Sequence, residues 1–135
     1  MKNQIGLIGI GLVGTALAEN LISAGFPVIG FDIDPDKCAT FEKMGGKAVS
    51  SPLEVAEKAR NVFLSLMNTD IVQKVLTGSE GLLHSGSPPT HVIDTTTGDP
   101  DETIKIAYLL KKREYSFWIR QFPGPAHKLG CVKAL

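Results

Sequence analysis

Gly9-Ile10-Gly11-Leu12-Val13-Gly14 is the stretch on which the fold of this chain turns. It follows the apolar run Ile5-Gly6-Leu7-Ile8 and leads into a helical pattern from Leu12 to about Ala24, with Val13, Leu17 and Leu21 on one stripe and Gly25 as the stop. A strand, a glycine-rich turn and a helix cannot bury their apolar faces alone, so the sequence around them has to supply further layers.

It supplies them in alternation. Pro27 to Asp32 reads as a second strand, and Asp34-Pro35 as a cap with proline at the first helical position. Cys38, Phe41 and Met44 mark that helix, which Gly45-Gly46 ends. A short strand at Lys47 to Val49 precedes the capping box Ser51-Pro52-Leu53-Glu54. Asn61 to Leu66 is the next strand, and Thr69 or Asp70 caps a helix through Leu76. Gly78 to Pro89 reads as loop, His91 to Asp94 as a fifth strand, and Asp99-Pro100-Asp101-Glu102 as the start of a helix to about Arg113. Ser116 to Ile119 suits a sixth strand. Short Val-, Ile- and Phe-rich strands separated by helices predict an α/β single domain, a doubly wound parallel sheet of the Rossmann type.

Composition agrees with one globular domain. The chain has 135 residues, 43% apolar and 21% charged, and at this size roughly two thirds of the unfolded surface is buried on folding. Fourteen basic residues balance fourteen acidic ones, which excludes a global field for nucleic acid or an anionic membrane. The apolar run after Met1 is too short for a secretory or membrane-spanning segment, and the expectation is a cytoplasmic protein. Cys38 and Cys131 fit no CxxC or zinc spacing and read as idle thiols, and His84, His91 and His127 form no nucleophilic or metal constellation. No metal site is expected.

The glycine turn has the context its chemistry needs, a strand before and a helix after. Gly9 permits the tight turn, Gly11 lacks the Cβ that would block a pyrophosphate, and Gly14 lets helix and strand approach. Ile10, Leu12 and Val13 complete the loop over the phosphates, which meet free N–H groups and the positive end of the helix. Asp32 ends the second strand 18 residues after Gly14, where a carboxylate accepts ribose hydroxyls and repels a 2′-phosphate. Ile33 stands where a reader of that phosphate would place arginine. The cofactor expected is NAD(P), with NAD preferred over NADP.

Further residues carry a more specific resemblance. Ile8 to Gly14 with Ala18-Glu19-Asn20-Leu21, Phe31-Asp32-Ile33-Asp34-Pro35-Asp36-Lys37, Leu64-Ser65-Leu66-Met67-Asn68, and Asp94-Thr95-Thr96-Thr97-Gly98-Asp99-Pro100 resemble the amino-terminal half of a β-hydroxyacid dehydrogenase. That group contains 3-hydroxyisobutyrate dehydrogenase and is akin to 6-phosphogluconate dehydrogenase. The resemblance spans about residues 3 to 113. It implies that Met67 and Asn68, matching a Leu-Pro pair, lay their backbone along the cofactor, and that Thr97 contacts the nicotinamide-ribose end. It also implies that Thr96, matching a serine, lends its hydroxyl to a substrate carboxylate. Asn68 for proline loosens that loop, Thr96 adds a methyl group, and Val13 for methionine is a packing change.

The same resemblance says what this chain lacks. The group's catalytic lysine lies on a helix beyond the cofactor domain, and an all-helical second domain closes the substrate cleft. Residues 1–119 are read as the NAD(P)-binding domain and residues 120–135 as an irregular, acid-free tail outside the pattern, in a truncated chain without the helical domain. Lys105, Lys111 and Lys112 read as a solvated helix face, so no residue is assigned as catalytic. The expectation is a cofactor-binding domain of a hydride-transferring oxidoreductase, inactive or nearly so alone. The alternative is a stand-alone NAD(H)-sensing regulatory module. The expected partner is the dinucleotide, without nucleic acid or membrane. Phe117, Trp118, Ile119 and Phe122 form an apolar cluster expected to self-associate.

Overall fold

Leu7 and Ile8 lie next to each other in one strand and serve opposite faces of the sheet, and that alternation divides the core in two. The structure, a computed structural model, describes residues 2–96, 99–112, 116–119 and 132–133. Its strands are β1 (Ile5–Ile8), β2 (Val28–Phe31), β3 (Lys47–Ala48), β4 (Asn61–Leu64), β5 (His91–Asp94), β6 (Ser116–Ile119) and β7 (Val132–Lys133). The helices are α1 (Leu12–Ser23), α2 (Pro35–Lys43), α3 (Pro52–Lys58), α4 (Thr69–Thr77) and α5 (Pro100–Lys112).

The strands form one sheet in the order β3-β2-β1-β4-β5-β6-β7, parallel from β3 to β6. This is the doubly wound order, with its reversal of direction between β1 and β4. β7 pairs antiparallel with β6 through Ile119↔Val132 and Trp118↔Lys133, so two residues of the tail read as irregular are a strand. The other tail residues, and the side chains of the apolar cluster at 117–119 and 122, lie outside what the structure describes.

On one face Ile8, Ile29, Val62, Leu64 and Val92 pack beneath α3, α4 and α5 through Val55, Val72, Leu76, Ile106 and Leu110. On the other, Leu7, Val28 and Ile10 pack with Ala18 and Phe41 from α1 and α2. Each fully buried aliphatic side chain contributes about 1.5–3 kcal/mol relative to exposure. The three cap-then-proline signals hold. Asp34 accepts from the Asp36 amide at 2.9 Å, Ser51 from Glu54 at 3.1 Å and Asp99 from Asp101 at 2.8 Å.

Three local expectations are corrected. The buried stripe of α1 is Gly14 and Ala18, with Leu17 and Leu21 at its flanks, and Val13 is 39% exposed. The helix turns its smallest residues to the sheet because it crosses the glycine turn too closely for larger ones. The cap of α4 is Asn68, whose Oδ1 accepts from the Ile71 amide at 3.0 Å, and Thr69 is buried inside the first turn. The Gly78–Pro89 segment contains a 3-10 turn at Leu82–His84 that seats Leu82 fully in the core.

Candidate functional site

Parallel strands end on the same edge of the sheet, and the loops leaving β1, β2, β4 and β5 gather there around the point where strand order reverses. Gly9 stands first, at φ +95°, a left-handed conformation that L side chains rarely adopt. A Cβ on Gly9 would lie 2.0 Å from the Ser65 carbonyl oxygen, and one on Gly14 would lie 2.0 Å from the Gly9 carbonyl oxygen. The turn is thus wedged between α1 and the loop after β4. Gly11 differs: a Cβ there would meet nothing within 4 Å. That open space above an unshielded backbone is the room a pyrophosphate needs, so the residues fit the cofactor that the motif implies.

α1 begins at Gly11 with no side-chain cap and no acid in its first turn, whereas α2, α3 and α4 begin under a capping side chain. Its first N–H groups are left for an anion. Asp32 is tied to the turn itself. Its Oδ2 accepts from the Ile10 amide at 2.8 Å and its Oδ1 from the Asp34 amide at 2.9 Å. A carboxylate has about four lone-pair directions, so two remain for hydroxyl donors. The Cys38 thiol donates to the Asp32 backbone carbonyl at 3.3 Å.

Around this crevice Leu12, Ile33 and Met67 are 92%, 89% and 86% exposed. Single exposed apolar residues are ordinary, but these three flank the loops of three adjacent strand ends. The structure therefore brings Gly9, Ile10, Gly11, Leu12, Val13, Gly14, Asp32, Ile33, Met67 and Asn68 to one edge. Thr97 lies outside the described residues.

Thr96 reaches the same edge but is only 5% exposed. Its Oγ1 accepts from the Leu66 amide at 3.0 Å. Its amide donates to Asp94 Oδ1 at 2.9 Å. Burial pushes the Asp94 carboxyl up from the ordinary carboxylate range, and hydrogen bonding with Thr96 opposes that rise. Sequence reading missed Asp94 and Thr69 as parts of this edge, since their partners depend on strand register. Lys105 is exposed and pairs with Glu102 at 2.9 Å, which raises its pKa and keeps it charged, the reverse of what a general base needs. His91 Nδ1 lies 3.0 Å from Asn61 Oδ1 at the opposite end of the strands.

An open crevice at the switch point, an uncapped helix behind a glycine turn and an acid at the end of β2 define a dinucleotide-binding α/β domain. Residues 4–118 match the family described as the NAD binding domain of 6-phosphogluconate dehydrogenase, and the chain belongs to that family. It is 35% identical over 111 residues to the mitochondrial 3-hydroxyisobutyrate dehydrogenase of Mus musculus, covering 82% of this chain and 33% of the relative. A probable 3-hydroxyisobutyrate dehydrogenase of Arabidopsis thaliana is 37% identical over 106 residues, 77% of this chain and 30% of the relative. The chain thus spans about a third of the length of these relatives. A Mycobacterium tuberculosis 3-hydroxyisobutyrate dehydrogenase solved with L-serine shares the fold at TM-score 0.82 and 24% identity, over 92% of this chain and 42% of that one. These likenesses place the chain with the NAD binding domains of that family and lend nothing to a stand-alone regulatory sensor. No helix among the described residues is long and apolar enough to cross a membrane.

Proposed function

We propose that this chain binds NAD(H) in preference to NADP(H) and is the cofactor domain of an enzyme that moves a hydride between nicotinamide and a small 3-hydroxyacid. The observation that carries the reading is the pairing of open space at Gly11 with the fixed carboxylate of Asp32. Gly9 to Gly14 would hold the pyrophosphate, and Asp32 the adenosine ribose with Ile33 beside it. The backbone at Met67 and Asn68 would face the nicotinamide half. Once bound, nicotinamide supplies the hydride acceptor or donor.

The carboxylate of Asp32 supports NAD over NADP, because a 2′-phosphate would meet it at close range. Titration with NADH and NADPH followed by calorimetry tests this, with NADH expected to bind at least tenfold tighter. Equal affinities would remove the preference, and no heat from either would remove the cofactor reading.

Alone, the chain is a binder and not a catalyst. Water reaches an open crevice, and the positioning that a closed cleft supplies, up to about 7–11 kcal/mol of barrier, has no source among its described residues. A turnover assay with small 3-hydroxyacids is expected to show no rate. The cytoplasm is the compartment proposed, against the mitochondrial names of the animal relatives, and fractionation of the native protein decides it.

Thr96 enters this reading with a constraint. A substrate carboxylate only accepts hydrogen bonds, and the Thr96 hydroxyl is buried with its Oγ1 already accepting from the Leu66 amide. Service to substrate would require that hydroxyl to become exposed.

A further inference from the structure

β4 and β5 run in parallel with a register offset of 30 residues, from Asn61↔His91 to Leu64↔Asp94. The offset persists past the strand ends. The Leu66 amide donates to Thr96 Oγ1 at 3.0 Å, and three residues further on the Asp99 amide donates to Thr69 Oγ1 at 3.1 Å. Each loop therefore gives one amide to the other and receives one through a threonine hydroxyl. Below them Thr95 closes the base, its amide and its Oγ1 both donating to the Leu64 carbonyl oxygen, at 2.8 and 2.7 Å. Thr69, Thr95 and Thr96 are all buried, and Asp94 braces Thr96 from beneath.

From this geometry we propose that Thr69 and Thr96 form a reciprocal clasp that fixes the separation of the loops after β4 and β5 and so positions the nicotinamide half of a bound dinucleotide. The inference rests on the cofactor reading above. In a doubly wound sheet the β1–β3 half takes the adenosine and the β4–β6 half the other nucleotide. A clasp confined to β4 and β5 therefore acts on one half of the ligand only. Thr96 is on this view a positioning residue, its hydroxyl oxygen engaged by the Leu66 amide and its own amide by Asp94. The loop it holds also presses on the glycine turn, where Gly9 approaches the Ser65 carbonyl too closely for any Cβ.

The test compares NADH with ADP-ribose, which lacks the nicotinamide, on the wild-type chain and on Thr96→Val, Thr96→Ser and Thr69→Val. Binding is read by calorimetry and the Leu66 amide by hydrogen exchange. Removing the hydroxyl acceptor leaves a backbone donor unpaired, so Thr96→Val is expected to weaken NADH roughly tenfold and to expose the Leu66 amide to exchange. ADP-ribose binding should stay within about twofold, and Thr96→Ser should behave as wild type. A residue that only supports the fold would lower both ligands alike. That outcome, or a Leu66 amide still protected in Thr96→Val, overturns the clasp while leaving cofactor binding intact. A wild-type chain that binds neither ligand removes the reading beneath it and the clasp with it. If Thr96→Val does not fold, Thr69→Val carries the same comparison at the outer bond, with protection read at Asp99.

Discussion

The carboxylate of Asp32 holds the Ile10 amide at 2.8 Å, across 22 residues of sequence, so the acid at the end of β2 is also a strut of the glycine turn. Two effects should therefore travel together. Asp32→Ala removes a ribose partner and also frees the Ile10 and Asp34 amides. Hydrogen bonds to a charged group are worth about 1.5–3 kcal/mol each, so urea unfolding is expected to show a loss of about 2 kcal/mol or more. NADH affinity should fall at least tenfold. Asp32→Asn keeps one acceptor oxygen and is expected to lie between the two. An Asp32→Ala chain as stable as wild type would show that the turn stands without its strut.

Gly11 and Gly14 make a sharper pair, because the motif treats them alike and the structure does not. A methyl group on Gly14 would fall 2.0 Å from the Gly9 carbonyl, whereas one on Gly11 would meet nothing within 4 Å. Overpacking against backbone is expected to cost Gly14→Ala about 3 kcal/mol. Gly11→Ala should leave thermal stability nearly unchanged, since its φ of −83° suits an L side chain and only the poorer N-capping of alanine counts against it. Its loss should appear only in NADH binding, at least tenfold. Thermal melts with and without NADH separate the two, and a Gly11→Ala chain with full affinity would mean that the cofactor does not cross that space.

Where sequence reading succeeded, the signal was local. Caps at Asp34, Ser51 and Asp99 need only their own helix, and Gly9, Gly11 and Gly14 need only the strand before and the helix after. The face of α1 was misread because amphipathic spacing favours Val13, Leu17 and Leu21, while the deciding fact is how closely the helix crosses the glycine turn. Gly14 and Ala18 face the sheet for that reason. The pairings of Thr96 with Leu66 and Thr69 with Asp99 were out of reach, since both exist only once the β4–β5 register is set.

Two carboxyls give acid behaviour of opposite sign. Glu54 bonds Lys58 at 2.8 Å and the Ser50 amide and hydroxyl at 2.8 Å each, which holds its pKa down at about 2 from 4.5. Its contribution is complete above pH 4.5 and is lost as pH falls from there towards 2. The site is open to solvent, so the loss should be no more than about 1 kcal/mol. Asp94 is raised by burial, so the folded state binds its proton more tightly than the unfolded state. Its ionisation therefore costs stability as pH rises through 3.8 and beyond. Glu54→Gln should flatten the loss in acid, and Asp94→Asn should hold or raise the melting temperature at pH 7. Melting curves from pH 3 to 8 check both. A marked fall at neutral pH in Asp94→Asn would mean that the charge itself is needed.

Asn68 stands where the resemblance places a proline, and in this chain the asparagine serves as the cap of α4. Its backbone sits at φ −159°, and its Oδ1 caps α4 through the Ile71 amide at 3.0 Å. Proline fixes φ near about −65°, so Asn68→Pro would have to swing the loop by roughly 90° as well as strip the cap. Loss of the cap alone, in Asn68→Ala, is expected to cost about 1 kcal/mol. Asn68→Asp keeps an acceptor and adds a charge that suits a helix N-terminus, so it should hold full stability. Asn68→Pro should be the least stable of the three, and NADH binding should suffer most there, because the Met67–Asn68 backbone would shift. Urea unfolding and NADH titration of the three variants decide the order. An Asn68→Pro chain as stable and as tight-binding as wild type would show that the loop accepts the proline conformation at no cost, and that the asparagine does no more than the proline it replaces.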